Sequence, residues 1–123
     1  MIDHVSVPVR DLNAATTFYD AVLTTLGYAR LDTRPATAGY GKRYSEFWVN
    51  VRADPAPSSG AHVCLRVKSP GMVDAFHAAA LAAGGTSDGA PGLRPAHGEG
   101  YYAAFIRDPD GNRIEAVTFI ADR

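Results

Sequence analysis

Residues 3–27 read DHVSVPVRDLNAATTFYDAVLTTLG, and residues 61–85 read AHVCLRVKSPGMVDAFHAAALAAGG. The second stretch follows the first without a gap at an offset of 62 − 4 = 58 residues, which places His62 on His4. The apolar phase, the helix length and a closing glycine, Gly27 or Gly85, coincide in the two copies. The chain therefore contains an internal repeat, and its fold is expected to consist of two similar units.

Each copy predicts a strand followed by a helix. Val5, Val7 and Val9 alternate with polar or small residues, which is the period of two expected of a half-buried strand. Asp11 and Ser69 stand where the helix N-cap is expected, and Gly27 and Gly85 where each helix should end.

The remainder of each copy is β-prone. The pattern predicts a strand at 28–31, and either one long strand or a hairpin around Gly41 at 40–51. In the second copy it predicts a weak strand at 86–93 and two strands joined by the turn DPDGN, because Asp and Gly tolerate tight-turn dihedrals. These last elements cover residues 101–107, 108–112 and 114–120.

The repeat sets the domain organisation. Module one spans residues 1–54, a Pro/Ser/Gly-rich linker spans 55–60, and module two spans 61–123. A unit of about 60 residues with one helix cannot easily bury its sheet alone, whereas two units side by side can. We therefore predict one α+β domain of two tandem βαβββ modules. Their sheets would curve as a half-barrel around a shared cavity, with the helices outside.

Composition excludes several functions. The chain has 123 residues, with 12 Lys+Arg against 13 Asp+Glu and a formal net charge of −1. It has no basic block of the kind that nucleic acid requires, no apolar run long enough to span a membrane, and no signal peptide pattern after Met1. One cysteine, Cys64, can form neither an internal disulfide nor a cysteine-based zinc site. These features predict a cytoplasmic protein that binds a small molecule or another protein.

Two histidines at equivalent positions are the first candidate site residues. If a pseudo-twofold axis relates the copies, His4 and His62 on the first strand of each copy face one another. Each shares a face with the even-numbered residues of its strand, while the valines occupy the other face. A pair of partly buried structural histidines is the alternative.

Glu115 is the third candidate. It lies in an otherwise apolar, β-prone run at 114–120, where an unpaired carboxylate would be costly. An exposed glutamate on an edge strand is one interpretation. A divalent cation held by two imidazoles and one carboxylate is the other, since that donor set binds Fe, Mn, Zn, Co or Ni and leaves positions open for a substrate.

The motifs IDHVSVPVRDLNAATTFYDAVLTTLG, GAHVCLRV and YYAAFIRDPDGNRIEAV cover almost the whole chain. They resemble the vicinal oxygen chelate superfamily, which includes glyoxalase I, extradiol dioxygenases, and fosfomycin and bleomycin resistance proteins. The resemblance implies the tandem βαβββ fold, a divalent metal on His4, His62 and Glu115, and a homodimer. Its sites would form within one chain or across the interface.

Further residues are candidates around such a centre. Glu46, at the place of a fourth glyoxalase ligand, is predicted as a ligand or general base, and His97 as a general acid or base in a loop. A second set is predicted to contact the substrate: Trp48, Cys64, Arg94 and Tyr101. Surface, loop or core roles are the alternatives for all of these residues, and His77 is predicted to be structural.

The resemblance implies two functions. The first is a divalent-metal-dependent lyase, isomerase or dioxygenase that acts on a small oxygen-rich substrate through metal chelation. The alternative is a metal-free small-molecule or drug-binding protein of the bleomycin resistance type. The ligand set favours the enzyme, while the substrate and the reaction type stay open.

Overall fold

A computed structural model of the chain describes residues 1–56 and 60–120, so residues 57–59 of the predicted linker lie outside the described residues. Ten regular elements follow the order β-α-β-β-β twice. In module one they are β1 Val5–Val9, α1 Leu12–Leu23, β2 Ala29–Arg34, β3 Thr37–Gly41 and β4 Ser45–Val51. In module two they are β5 His62–Arg66, α2 Pro70–Ala82, β6 Thr86–Leu93, β7 Tyr101–Arg107 and β8 Arg113–Phe119.

The two modules have the same topology. Their sheets run β1-β4-β3-β2 and β5-β8-β7-β6, with the first and last strands of each module parallel and the remaining neighbours antiparallel. This arrangement confirms the predicted α+β class with tandem βαβββ modules. The two sheets are separate within the described residues, since no hydrogen-bonded ladder joins β1 to β5.

Both helices begin where the sequence predicts. The Asp11 side chain accepts a hydrogen bond from the Ala14 N–H at 2.8 Å, and Ser69 accepts one from Met72 at 3.3 Å, so each caps its helix. Gly27 ends the first helical segment in the left-handed region at φ 80°. In the second copy Gly84, and not the predicted Gly85, takes the left-handed conformation, at φ 101°.

Two local predictions need refinement. Residues 40–51 form a hairpin rather than one long strand, with β3 ending at Gly41 and β4 starting at Ser45. His4 lies immediately before β1, whereas His62 is the first residue of β5. No helix within the described residues is long and apolar enough to cross a membrane.

A single core joins the modules. Each helix packs on its own sheet, and the two helices also contact one another. Phe18 and Phe76, equivalent in the repeat, are fully buried in the same cluster as Val9 and Ile106. The two modules therefore share one core, and the dependence of one module on the other stays a prediction.

The DPDGN turn provides the polar junction between the modules. The buried carboxylate of Asp108 accepts hydrogen bonds from the N–H groups of Asp110 and Asn112 and from the Asn112 side chain, at 2.8–2.9 Å. It also accepts one from the Tyr19 hydroxyl on α1, at 2.6 Å. Asn112 donates to the carbonyl of Pro8 on β1 at 2.8 Å. One turn of module two is thereby fixed to two elements of module one.

Ionisation of Asp108 depends on these donors. Burial raises the pKa of Asp108 above its ordinary value, and the hydrogen bonds from Tyr19 and Asn112 oppose that shift. The Tyr19 hydroxyl therefore favours the charged carboxylate.

Replacing Tyr19 by Phe tests this junction. We expect Tyr19→Phe to lower the free energy of unfolding by about 1–2 kcal/mol at neutral pH, since a buried carboxylate oxygen loses a donor. Because the lost bond favours the ionised form, the deficit should shrink as the pH falls through the pKa of Asp108. Urea denaturation at neutral and acid pH measures both effects.

Tyr40→Phe is the matched control. Tyr40 is equally buried, but its hydroxyl donates within module one to Asp20, which is partly exposed and also paired with Arg30. We expect Tyr40→Phe to cost less than Tyr19→Phe. Equal losses of unfolding free energy in the two variants would show that the Tyr19–Asp108 contact between the modules contributes no more than a contact within one module.

Candidate functional site

Two pockets lie on the faces of the sheets that the helices leave uncovered. The first, the His4 pocket, has a volume of about 560 Å³ and is lined mainly by His4, Asp32, Arg34, Ser45, Trp48 and Asn50. The second, the Glu115 pocket, has a volume of about 550 Å³ and is lined mainly by His62, Arg94, His97, Tyr101, Phe105 and Glu115. A smaller groove of about 190 Å³ lies between them, with Ser6 and Pro8 on one side and His62 and Arg113 on the other. Among the described residues each module therefore presents a pocket of its own, where the sequence predicts one shared cavity.

Glu115 and His62 form the centre of the second pocket. The Glu115 side chain is 3% exposed, and its Oε1 lies 3.3 Å from Nε2 of His62, whose side chain is 45% exposed. The other oxygen, Oε2, accepts a hydrogen bond of 2.5 Å from the Tyr101 hydroxyl. The carboxylate is thus buried, oriented by one phenol and directed towards an imidazole that remains open to solvent.

Aromatic rings form one wall of this pocket. The ring of His97 stacks on Tyr101, with centroids 5.2 Å apart and planes at 28°. Phe105 lies 6.4 Å from His97, and Arg94 lies over the face of Phe105 at 5.5 Å. His97 is exposed at the surface of the wall, so its ring is accessible to a ligand.

Cys64 lies beside the carboxylate, as its place two residues after His62 predicts. The residue is exposed, but its thiol is partly desolvated next to Glu115 and Tyr101. This desolvation, followed by the negative charge of Glu115, raises the pKa of Cys64 to about 12. The thiol is therefore protonated at neutral pH and is not an activated nucleophile. Burial and the Glu115 hydrogen bond also raise the pKa of Tyr101, which keeps its hydroxyl a donor.

The His4 pocket is built differently. Ser45 on β4 donates to Asp32 on β2 at 2.5 Å, across the intervening strand β3, where Gly39 lies. Arg34 lies over the ring of Trp48 at 5.3 Å. His4 pairs with the neighbouring Asp3, with Nδ1 and Oδ1 2.8 Å apart, and both residues are exposed.

The strand register shows how the two pockets correspond. Ser6 of β1 pairs with Trp48, and Cys64 of β5 pairs with Glu115. Ser6 and Cys64 are equivalent in the repeat, so Trp48 occupies in module one the position that Glu115 occupies in module two. The neighbouring strand carries the complementary residue in each module. The large Trp48 pairs with Gly39, whereas the smaller Glu115 pairs with the large Phe105.

The structure brings together five predicted residues in the Glu115 pocket and two in the His4 pocket. The first group is His62, Glu115, His97, Arg94 and Tyr101, with Cys64 beside it. The second group is His4 and Trp48. His77, predicted to be structural, lies 2.8 Å from the Ser87 hydroxyl, and burial lowers its pKa.

Glu46 lines neither pocket. A register shift opposite Tyr40 and Gly41 leaves Ser45, rather than Glu46, among the lining residues. The charge of Glu46 instead acts on Tyr28, whose pKa is raised by burial and then by this carboxylate.

Sequence reasoning missed several pocket residues. Asp32 and Arg34 line the His4 pocket, and Asp88 and Arg113 line the Glu115 pocket. Asn50 also lines the His4 pocket, as strict alternation with Trp48 along β4 predicts. The pocket residues on β2 and β6 had no comparable signal in the sequence, because register shifts interrupt the pairing of both strands with their neighbours.

No three metal-binding side chains meet within residues 1–56 and 60–120 of one chain. His62 and Glu115 are adjacent, while His4 lines the other pocket. One chain therefore provides two of the three predicted ligands at one place and the third at another.

Comparison with known proteins gives the following matches. A model described as Glyoxalase/Bleomycin resistance protein/Dioxygenase superfamily matches residues 1–116, while no curated protein sequence matches the chain. The crystal structure of a glyoxalase/bleomycin resistance protein from Albidiferax ferrireducens is 37% identical with a TM-score of 0.83, covering 94% of this chain and 95% of that one.

Two more distant structures share the fold. A glyoxalase/bleomycin resistance protein/dioxygenase family enzyme from Burkholderia phytofirmans is 22% identical, with a TM-score of 0.73 over 94% of this chain and 96% of that one. The fosfomycin resistance protein FosX from Listeria monocytogenes is 14% identical, with a TM-score of 0.72 over 95% and 91%. At these identities the likeness shows the fold alone.

The close contact at Gly39 generates a prediction for the His4 pocket. A Cβ added at Gly39 would lie 2.6 Å from Cβ of Ser45 and 2.9 Å from Cε3 of Trp48, so the strands or the indole must shift. We expect Gly39→Ala to destabilise the protein by about 1–3 kcal/mol and to change the emission of Trp48. Trp48 is the only tryptophan, so intrinsic fluorescence reports on this pocket directly.

Gly71→Ala is the matched control for that change. Gly71 lies in the first turn of α2, where an added Cβ would meet only Ser69 Oγ, at 3.9 Å. This variant should retain the wild-type emission and at least the wild-type stability. Unchanged stability and emission in Gly39→Ala would contradict the tight packing inferred at Trp48.

Proposed function

The chain belongs to the glyoxalase/bleomycin resistance protein/dioxygenase superfamily, and from that premise we propose that it is a divalent-metal-dependent enzyme. Its substrate is a small oxygen-rich molecule, and its reaction is a lyase, isomerase or dioxygenase step that uses chelation by the metal. The metal is held by His62 and Glu115 together with His4, and the protein acts as a cytoplasmic homodimer.

One observation carries this proposal: the buried carboxylate of Glu115 lies 3.3 Å from the exposed imidazole of His62. Two neighbouring ligands of one ion, each about 2.0–2.1 Å from it, are separated by roughly 2.8–3.4 Å, from octahedral to tetrahedral geometry. The measured separation lies in that interval. The donor set of imidazole and carboxylate also suits Zn, Ni, Co, Mn and Fe.

The neighbours of Glu115 support the same role. The Tyr101 hydroxyl fixes one carboxylate oxygen and leaves the other directed at His62. Oriented ligands of this kind are typical of metal sites, in which an outer hydrogen bond sets the geometry of the inner donor. A divalent ion bound there would supply Lewis-acid stabilisation of negative charge on a substrate oxygen.

The residues around the centre have distinct roles in this proposal. The aromatic wall of Tyr101, Phe105 and His97 excludes water from one side of the substrate. His97, exposed on that wall, is positioned as a general acid or base. Glu46 is left out of the site because it lines neither pocket.

The third ligand comes, in this proposal, from a second copy of the chain. Within one chain His4 lines a different pocket from His62 and Glu115. In a symmetric dimer the His4 pocket of each copy can lie against the Glu115 pocket of the other, which creates two equal composite sites. The exposure of both His4 and His62 leaves them accessible to such a contact.

Metal content tests the first part of the proposal. Protein purified without a chelator or a His-tag should contain about one divalent ion per chain, measured by elemental analysis. His4→Ala, His62→Ala and Glu115→Ala should each lose most of it, since each removes one of three ligands. His77→Ala removes a histidine bonded to Ser87 outside both pockets and should retain the metal.

A different result would favour the second function. If wild-type protein contains no metal even after reconstitution, the chain is not this kind of enzyme. The composite pocket would then serve a metal-free binding protein, as predicted for the bleomycin resistance type. The indole of Trp48 at the position equivalent to Glu115 would suit such a role.

Subunit exchange tests the dimeric site. In a heterodimer of His4→Ala and Glu115→Ala, one composite site has all three ligands and the other has lost two. Random exchange gives half heterodimers, so mixing the two variants should restore about a quarter of the wild-type metal content. Each variant alone should remain without metal.

Two outcomes would count against a site shared between chains. The first is that the metal content does not recover although mass spectrometry confirms subunit exchange. That result is expected if all three ligands come from one chain, because each variant chain then lacks one of them. The second is a sedimentation profile of monomer alone at micromolar concentration. A mixture of His62→Ala with Glu115→Ala, which damage the same pocket, is the control and should recover nothing.

A further inference from the structure

Arg94 stands apart from the other charged groups of the Glu115 pocket. Glu115 is paired with His62, and Asp88 is paired with both Arg107 and Arg113. Arg94 has no carboxylate within ion-pair distance among the described residues. It is therefore a positive charge at the pocket whose counter-charge the described part of the chain does not supply.

The guanidinium is nevertheless held in place. Its Nη2 donates a hydrogen bond to the carbonyl of Ala90 at 2.5 Å, and its Nη1 donates one to the carbonyl of Leu93 at 3.4 Å. The guanidinium carbon lies over the ring of Phe105. A guanidinium has five N–H donors, so these two bonds leave three for a ligand. Backbone carbonyls orient the group without neutralising it, because a carbonyl carries no net charge.

Two glycines of β6 make the space for this arrangement. A Cβ at Gly92 would lie 3.2 Å from Nη1 of Arg94, and a Cβ at Gly89 would lie 3.2 Å from Nη2 and 2.9 Å from the Phe105 ring. A side chain at either position would require the guanidinium to shift by a few tenths of an ångström. The register shifts of β6 fall at these same glycines.

We propose that Arg94 is an oxyanion receptor, and that the ligand of the Glu115 pocket carries a carboxylate or a phosphonate group beside a planar or apolar body. A guanidinium fork matches the geometry of both anions and binds them through two parallel hydrogen bonds. The rings of Phe105 and Tyr101 accommodate the body of the ligand. The inference rests on the proposed function, because it takes this pocket as the substrate site.

The test uses metal-free protein, so that it does not depend on the metal. Benzoate, phenylphosphonate and the neutral benzamide are titrated separately into labelled protein, and the Arg94 Nε–H resonance is followed by NMR. We expect saturable shifts with at least one of the two anions and none with benzamide. The anion that binds more tightly identifies the class, since benzoate offers one negative charge and phenylphosphonate up to two.

Variants distinguish binding by the two-pronged guanidinium group from binding by positive charge alone. Arg94→Gln should weaken binding of the anion at least about tenfold, and Arg94→Lys should recover only part of it. Gly92→Ala keeps the charge but displaces the flexible end of Arg94, so it should also weaken binding while the protein stays folded. In the variants that lack the Arg94 Nε–H, backbone amides of β6 report binding.

Arg66→Gln is the matched control. Arg66 also lies over a ring, Phe119 at 4.7 Å, but outside the Glu115 pocket, so its loss should leave the affinity unchanged. Wild-type affinity for both anions in folded Arg94→Gln, or equal binding of benzamide, would overturn the proposal. The metal content of Arg94→Gln should equal that of wild type, so a failure of the metal site and a failure of the anion site are distinguishable.

Discussion

The buried carboxylate of Asp108 is the interaction on which the arrangement of this chain depends. It closes its own turn through the N–H groups of Asp110 and Asn112 and also receives the Tyr19 hydroxyl from the other module. An anion this deeply buried is stable only when several donors converge on it. The turn and module one stabilise each other. The turn holds α1 and β1 in place, while Tyr19 of α1 donates to the Asp108 carboxylate and Pro8 of β1 accepts from Asn112. This group and the packing of the two helices together position one sheet against the other, and with the sheets both pockets.

The strand register explains why two modules of the same topology present different chemistry. Trp48 and Glu115 occupy equivalent places, and Gly39 and Phe105 occupy equivalent places opposite them. A large ring needs a small neighbour, so Trp48 is accompanied by Gly39, whose missing side chain also lets Ser45 reach Asp32. In module two the ring is on β7, which leaves room on β8 for a carboxylate. One module therefore presents an indole face and the other an acidic centre, and in the described part of the chain neither pocket contains all three predicted ligands.

The sequence predicts the parts of this structure that depend on local interactions. The repeat, the caps at Asp11 and Ser69 and the hairpin at 108–112 each follow from a few neighbouring residues, and all are present. Glu46 illustrates the limit, because strict alternation predicts that it shares the face of Trp48, whereas a register shift at Gly41 replaces it by Ser45. The separation of His4 from His62 was also beyond local reasoning. Equivalence in a repeat fixes the place of each residue within its module, but the packing of the helices and the Asp108 junction determine how the modules face each other.

The same reasoning explains why Arg94 could be named as a candidate from the sequence but not ranked above the other arginines of module two. Arg94, Arg107 and Arg113 are alike as residue types, and only the structure shows that Asp88 takes two of them. The charge of a guanidinium paired with an aspartate is partly neutralised, whereas one held by the carbonyls of Ala90 and Leu93 keeps its full charge. The glycines of β6, which look like weak points in a strand, are what make this support possible. In the proposed site the pocket thus has a cation on one wall, and the Glu115–His62 pair at its centre would hold the metal ion, so an oxygen-rich anion would be bound at two points. Two-point attachment restricts the orientation of a small ligand in a way that neither group achieves alone.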